Sequence, residues 1–454
     1  MEGEDFMLKN RAGKRRNFLL LPLFLIGSET FLQPDNEGPE SLKNTGFYTY
    51  QEQLFYHKDS NLNDLLNHHN KYSLTRLGQF INMATIYRRG QIIELPVQPD
   101  PNIGKIVMRT PRYGILPLDS FISQSSNQAF LVIHKGKIIY ERYDKMADYQ
   151  YHAWMSITKT VVGLAMYLLE QEGKINFDRQ VQDYLPDYKK TGYGRAKVRD
   201  VLNMSSGILA IDQLFGQFIP YFRFKNTPFS PGLYAVFKPL PMVETPGVKF
   251  VYSSVDTTIL TMIIENVTNM PFSRFITERI WQNIGAEHDA AIGLLGLTMG
   301  NGHPVSGGLG LMVSSMRDLG RYGMLYTPSW NQVSKVRIFT QAHQDDLQDP
   351  KGKPNLEEFF TQTTPAADFA PNDVGFGPDD VPTHGAGQWD MIFADGDMLK
   401  LGLNSQALYV SPKKDLVVAF FGYDDTPPEY AAAYARAIAR YIVDGKIQQY
   451  TGPQ

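Results

Sequence analysis

The stretch that decides the fold of this chain is Ser156-Ile157-Thr158-Lys159, which opens a long apolar segment ending at Leu169. The apolar residues fall almost all round a helix, and Glu170 to Gly173 supply a polar end with a glycine suited to a C-terminal cap. This pattern predicts a buried helix with Ser156 at its start. Because helix residues three apart share one face, we expect Lys159 beside the Ser156 hydroxyl.

This placement has chemical meaning. A serine hydroxyl is a poor nucleophile near neutral pH and needs a base within hydrogen-bond reach. A lysine that is partly removed from water can lose its proton and serve as that base. The first helical turn also offers unpaired N–H groups and the positive end of the helix dipole to an oxyanion. From these residues alone, a helix start that merely carries a serine and a lysine extended toward solvent stays open.

A second Ser-x-x-Lys match occurs at Ser411-Pro412-Lys413-Lys414. It lies between two apolar runs and contains a proline, which predicts a hairpin turn with no base beside its serine.

Two further segments carry candidate site residues. Tyr252-Ser253-Ser254 precedes a helix-like run from Thr257 to Glu265, and Lys400-Leu401-Gly402 precedes the apolar runs near the C-terminus. We expect the tyrosine to pass protons and the lysine to lie on a strand edge.

In this order the motifs resemble the serine β-lactamase and penicillin-binding protein superfamily, whose signatures include Ser-x-x-Lys and Lys-Thr-Gly. The class C-like branch, with a Tyr-x-Asn triplet, is the most similar. Within it, residues 389–400 look most like the 6-aminohexanoate-dimer hydrolases and related amidases and esterases. The resemblance covers roughly residues 125 to 443 and includes three connecting segments, 198–207, 307–309 and 316–319.

The resemblance implies a role for each matching residue. Ser156 would be the nucleophile, Lys159 its base, and Tyr252 the relay that protonates the leaving atom. Lys400 would help hold the substrate, and the Gly402-Leu403 strand end would supply an oxyanion N–H together with that of Ser156.

Two departures from the branch bear on the substrate. Ser254 stands where the branch often has asparagine, and it cannot offer the same amide to a β-lactam or peptide carbonyl. Leu401 stands where the branch has threonine, so a hydroxyl that would help recognise a substrate carboxylate is missing. Both changes count more against a β-lactamase or cell-wall peptidase than against an esterase or amidase.

Other polar clusters carry less weight. His384 lies in the glycine-containing segment Thr383-His384-Gly385-Ala386-Gly387, which we interpret as a loop near the site; the histidine is a candidate substrate contact or a structural residue. Asp395 and Asp397 flank Gly396 and predict an Asx-type turn. The sequence holds no Cys, no His-Glu-x-x-His and no Gly-x-x-x-x-Gly-Lys, so we expect neither a metal nor a nucleotide cofactor.

Composition agrees with a pocketed enzyme. The 454 residues are 43% hydrophobic and 12% aromatic, enough for a large core in one catalytic unit with two lobes. A net charge of −3 gives no reason to expect a nucleic-acid partner. The oligomeric state has no sequence signal.

The N-terminal region is a separate question. Basic residues between Lys9 and Arg16 precede an apolar segment, 18–27, that is too short to span a membrane. We interpret residues 1–45 as a signal-like export segment or an N-terminal arm of a cytoplasmic protein. Residues 46–125 are expected to form an extension that wraps the catalytic domain, 126–454.

The order of elements predicts an α/β fold of the α+β type. A hairpin at 130–140, a second at 408–421 and a helix around 430–443 would build one antiparallel sheet from both ends of the chain. A mostly helical lobe, roughly 160–380, would be inserted between them, with Ser156 from the helical side and Lys400 from the sheet edge. Loops at 208–245 and 340–388 would wall the substrate pocket.

The sequence thus predicts a serine hydrolase that forms an acyl-enzyme on Ser156 and cleaves a small amide or ester. From the resemblance, a linear aminoalkanoate-like amide is the favoured substrate. Two alternatives stay open: a carboxylesterase of the same branch, and a penicillin-binding or sensor relative that keeps the fold without turnover.

Overall fold

The computed structural model describes residues 70–110, 112–212, 237–298, 304–356, 382–423 and 428–447. The strands are β1 Met83–Ile86, β2 Val107–Thr110, β3 Gly114–Pro117, β4 Asn127–His134, β5 Lys137–Tyr143, β6 His152–Ala153, β7 Ala290–Thr298, β8 Pro304–Ser306, β9 Met312–Ser314, β10 Pro382–Ala386, β11 Trp389–Phe393, β12 Met398–Gly402, β13 Gln406–Ser411 and β14 Leu416–Gly422. The helices are α1 Asn70–Ser73, α2 Leu118–Gln124, α3 Thr158–Gln171, α4 Val181–Tyr184, α5 Gly192–Arg195, α6 Val198–Leu202, α7 Ser254–Thr268, α8 Phe272–Arg279, α9 Met316–Met324, α10 Gln341–Gln348 and α11 Pro428–Asp444.

The main sheet joins the two ends of the catalytic region. Its order is β10-β11-β12-β13-β14-β4-β5, with every neighbouring pair antiparallel. Lys135 and Gly136 both have positive φ, which suits the tight turn between β4 and β5. The predicted hairpins, the terminal helix and the sheet drawn from both ends of the chain are confirmed.

Alternating side chains of the central strands serve the two faces of this sheet. On one face Phe130 stacks on Phe420 in a core that includes Tyr434 of α11 and Phe121 of α2. On the other face the backbone of α9 approaches closely, since a Cβ on Gly320 would lie 2.7 Å from Leu131. Helices therefore cover both faces of the sheet at strands β4 and β14.

In its described residues the inserted lobe is mostly helical, as predicted, and it also contains a second sheet that the sequence did not predict. Helices α3 to α10 do occupy this part of the chain, but β7, β8 and β9 lie there too, in a sheet of order β1-β7-β9-β6 with β8 paired to β7. Within β7, Gly293 packs closely against Ile81 and Leu311. Strand β1 is supplied from before residue 125, so that segment takes part in the fold of the catalytic region.

The tip of the β10–β11 hairpin connects the main sheet to the helical lobe. A Cβ on Gly163 of α3 would lie 2.1 Å from the Gly387 carbonyl oxygen, so the two backbones meet without intervening side chains. Next to it, the Gln388 amide accepts a hydrogen bond from Thr257 of α7 (2.6 Å) and donates one to the Leu202 carbonyl of α6 (2.9 Å). Three helices are thus fixed to one hairpin.

Several predicted segments fall outside the described residues. They are the signal-like segment 1–45, residues 46–69 of the extension, and the parts of the pocket-wall loops at 213–236 and 357–381. Among the helices that the structure describes, none combines the length and apolar character needed to cross a membrane.

Candidate active site

Both sheets place Ser156 at the junction of the two lobes. Strand β6 pairs with β9, and the Trp154 N–H donates to the Met312 carbonyl at 2.9 Å, which delivers the chain to a 3₁₀ turn at Met155–Ile157. On the other side, a Cβ on Gly402 would lie 2.9 Å from the Trp154 carbonyl oxygen. Met155 has φ +47°, a left-handed conformation that is uncommon for a non-glycine residue and clusters at functional sites. The half-buried Ser156 follows this strained residue and leads directly into α3.

Lys159 has the surroundings of a base. Its Nζ lies 3.1 Å from Ser156 Oγ and donates to the Leu309 carbonyl, which explains the Gly307-Gly308-Leu309 segment of the sequence. The side chain is 1% exposed. Burial, and then the positive charge of Lys400, lower the pKa of Lys159 to about 7. A large fraction of Lys159 is therefore neutral at physiological pH and able to accept a proton.

Tyr252 approaches the same hydroxyl from the start of α7 in the helical lobe. Its hydroxyl donates to Ser156 Oγ at 2.6 Å. The residue precedes α7, whose N-terminus is capped by Ser253 accepting the Asp256 N–H at 3.1 Å. Burial, and then the negative charge of Asp390, raise the pKa of Tyr252 well above its usual value. Tyr252 is thus a protonated donor to the Ser156 hydroxyl.

The segment at 198–207 supports this placement of Tyr252. Ser206 and Tyr193 both donate to Asp256 in the first turn of α7, at 3.0 and 2.6 Å. The Val251 N–H donates to the Met204 carbonyl at 2.7 Å, one residue before the tyrosine. The connecting phrase recognised in the sequence therefore acts as a support for the start of α7.

Lys400 is not at the edge of the sheet, which corrects the expectation. Strand β12 is flanked by β11 and β13, because β11 and β10, the latter in a segment predicted as loop, extend the sheet beyond it. The Lys400 side chain is 0% exposed and forms an ion pair with Asp390 Oδ1. Asp390 Oδ2 accepts the Leu401 N–H at 3.0 Å. The Lys400 ammonium lies 4.9 Å from the centre of the Tyr252 ring, so this residue does belong to the cluster.

Three further residues that the sequence predicted for the site are Gly402, Leu403 and Ser254. Gly402 packs against the turn that carries Ser156, and Leu403 follows it with 57% of its surface exposed. Ser254 begins α7, and its N–H donates to both Asp212 oxygens, at 2.9 and 3.0 Å. The backbone N–H of Ser254 is thus held by a protein acceptor.

His384 lies in strand β10, which corrects its assignment to a loop. The ring is 1% exposed, with Nε2 3.0 Å from the Leu347 carbonyl and Nδ1 2.8 Å from Thr383 Oγ1. Both ring nitrogens are engaged within the hairpin and its neighbouring helix. The structure thus brings together Ser156, Lys159, Tyr252 and Lys400, and gives His384 the contacts of a structural residue.

The sequence analysis assigned no role to Asp390 or Asp212. A signal for Asp390 was available, since a hairpin that pairs Met391 with Leu399 also places residue 390 opposite Lys400. No comparable pairing pattern predicts Asp212, because this residue lies outside the helices and strands given above. Its negative charge acts on Lys159, Tyr252 and Lys400 and raises the pKa of each.

A serine hydroxyl in contact with a buried amine of lowered pKa and with a phenol of raised pKa has the composition of a serine hydrolase centre. The model of the Beta-lactamase family matches residues 122–442, which is more than half of the chain, and the chain belongs to this family of serine hydrolases.

Individual relatives show to which kinds of hydrolase the chain is similar. The chain is 22% identical over 364 residues to the 6-aminohexanoate-dimer hydrolase of Paenarthrobacter ureafaciens, covering 77% of this chain and 84% of the relative. A structure from Bacillus anthracis, provisionally assigned as a 6-aminohexanoate-dimer hydrolase, has a TM-score of 0.66 and 20% identity, covering 84% of this chain and 96% of that one. The hydrolase EstCE1, with promiscuous acyltransferase activity, gives a TM-score of 0.51 and 16% identity, covering 71% and 96% of the two chains.

Proposed function

We propose that the protein cleaves a small amide or ester through an acyl-enzyme on Ser156. The observation that carries this proposal is the convergence of two groups of opposite character on one hydroxyl: Lys159 Nζ at 3.1 Å and the Tyr252 hydroxyl at 2.6 Å. In the acylation step Lys159 takes the Ser156 proton while Oγ bonds to the substrate carbonyl carbon. The oxyanion is placed before the N–H groups of Ser156 and Leu403, as the family resemblance implies.

The leaving group requires a proton as its bond to carbon breaks. Tyr252 donates its hydroxyl proton to the departing nitrogen or oxygen and regains one from the Lys159 ammonium, so the protons balance. Water then attacks the acyl carbon, its proton passes to the same pair of residues, and Ser156 is reprotonated as the acid product leaves. The cycle consumes one water and no other reactant.

A linear amide of aminoalkanoate type is the favoured substrate. It is supported by the 6-aminohexanoate-dimer hydrolase likeness over 77% of the chain. The internal ion pair of Lys400 with Asp390 also counts against a substrate that needs this lysine for its carboxylate, as do Ser254 and Leu401 at the two departures noted above. Carboxylester cleavage remains the second candidate, favoured by the same cluster because an alcohol leaves with less assistance than an amine.

The test is intact-protein mass spectrometry after brief incubation with p-nitrophenyl acetate, with nitrophenol release followed over time. The wild type should gain one acetyl group and continue to release nitrophenol, and Ser156→Ala should do neither. Ser411→Ala, which changes the other Ser-x-x-Lys serine, is the matched control and should be labelled normally. Labelling that persists in Ser156→Ala would exclude Ser156 as the nucleophile, and an adduct without further release would favour the non-turnover alternative.

A further inference from the structure

The charged groups around Lys159 come from three separate segments. Lys400 and Asp390 face it from β12 and β11, Asp212 faces it from the chain before α7, and the Tyr252 hydroxyl faces it across Ser156 Oγ. Of these charges only Lys400 is positive, and its ammonium is fully buried. A buried ammonium is costly unless a counter-ion is present. Asp390 is that counter-ion.

Asp390 holds Lys400 in two ways. One carboxylate oxygen pairs with the Lys400 ammonium, and the other accepts the N–H of Leu401, the next residue, at 3.0 Å. Side chain and backbone of one strand segment are thus fixed by a single carboxylate. This occurs just past the last ladder pairs between β11 and β12, Met391 with Leu399 and Ile392 with Met398.

The ring of Tyr252 lies within reach of both lysines. Lys159 Nζ is 5.0 Å and Lys400 Nζ is 4.9 Å from the centre of the ring. Two ammonium ions sharing one buried ring would repel each other in a medium that screens poorly. When Lys400 is charged, Lys159 is therefore favoured in its neutral form.

We infer that Asp390 is a positioning residue of the reaction: it holds Lys400 as an ammonium beside the Tyr252 ring, and that charge keeps Lys159 neutral and able to take the Ser156 proton. The inference rests on the proposed acyl-enzyme chemistry at Ser156. It assigns Lys400 an electrostatic role in place of direct substrate binding.

The direction of the change in the pKa of Lys159 follows from the groups that raise or lower the pKa of each lysine. Burial lowers the pKa of Lys400 and Asp390 raises it, so we expect loss of the carboxylate to lower this pKa further and to favour the neutral form of Lys400. For Lys159, burial lowers the pKa most, the Lys400 charge lowers it next, and Asp212 and Asp390 raise it by less. Losing both charges of the ion pair therefore raises the pKa of Lys159, and more of the base is protonated at pH 7.

The experiment is the pH dependence of the acylation burst with p-nitrophenyl acetate, from pH 5.5 to 10, in full-length wild type and variants. The wild-type rate should rise through a midpoint near pH 7, following Lys159. In Asp390→Asn the midpoint should move up by about one pH unit, a tenfold loss at pH 6. The rate at high pH should stay within a few-fold of wild type. Asp390→Glu, which keeps the charge, should bring the midpoint most of the way back to the wild-type value.

Asp395→Asn is the matched control from the same hairpin, because Asp395 contacts Lys414 and Arg436 instead of Lys400. It should leave the midpoint unchanged. An Asp390→Asn rate that falls equally at every pH would mean a purely structural role and would overturn the inference. If that variant does not fold, Lys400→Met decides in its place: a midpoint shifted upward supports the inference and an unmoved one overturns it. Absence of both a wild-type adduct on Ser156 and nitrophenol release is a different result, which refutes the proposed function itself.

Discussion

The chain contains the Ser-x-x-Lys pattern twice, and the two copies differ completely in their surroundings. At the first, Lys159 Nζ lies 3.1 Å from Ser156 Oγ and its nearest other partner is an uncharged carbonyl. At the second, Ser411 donates to Asp397, and Lys414 lies 2.9 Å from both Asp395 and Asp397.

The two sites differ in the charged groups that contact the lysine. Burial would raise the pKa of Asp395, but Lys414 and Arg436 outweigh it and hold the pKa at about 2. The Lys414 ammonium is paired with two carboxylates. Lys159 is instead buried with another cation nearby, and both effects lower its pKa. The comparison teaches that spacing only makes a serine–lysine contact available, and that the absence of a carboxylate contact turns the lysine into a base.

The strongest test of this difference between Lys159 and Lys414 is to replace each lysine by methionine. Lys159→Met should lower the acylation rate by about 10³-fold, since the general base is lost. Lys414→Met should keep the rate while costing about 3 kcal/mol of unfolding free energy, since carboxylates lose a buried partner. Burst kinetics and urea unfolding of both variants measure the two effects. Comparable acylation losses in the two variants would contradict the distinction.

A smaller effect is expected at Tyr252, the second of the two groups that contact the Ser156 hydroxyl. Tyr252→Phe removes the donor at 2.6 Å and should lower amide cleavage by about 10²-fold, because an amine leaves only when protonated. Cleavage of a nitrophenyl ester should fall by about tenfold or less, since nitrophenolate is a weak base that leaves with little protonation. Parallel rates on an anilide and a nitrophenyl ester with the same acyl group provide the measurement. Equal losses on both substrates would remove Tyr252 from protonation of the leaving group.

The smallest effect concerns the second serine. Ser411→Ala deletes a buried hydroxyl that donates to Asp397, and the free energy of unfolding should fall by roughly 1–3 kcal/mol. The acylation burst should be unchanged. Urea unfolding together with a single burst measurement tests both statements, and a reduced burst would show that the second motif is linked to the first.

Local patterns were sufficient for the elements nearest the nucleophile. The apolar run after Lys159, the turn at Lys135-Gly136 and the Tyr252-Ser253-Ser254 helix start each depend on neighbouring residues, and each was predicted correctly. Strand order was harder, because β10 and β11 extend the sheet beyond Lys400 through long-range pairing. Asp390 was missed for the same reason, since its role depends on a partner across the hairpin.

The contact between Gly163 and Gly387 limits how this protein can be engineered. Replacing a glycine inside a helix by alanine is a routine route to thermostability, since alanine gains about 1 kcal/mol in helix propensity. At residue 163 the added methyl carbon would lie 2.1 Å from a backbone oxygen that cannot rotate away. The α3 helix that follows Ser156 would be pushed off the hairpin, so a consensus or propensity-based design should leave this glycine in place.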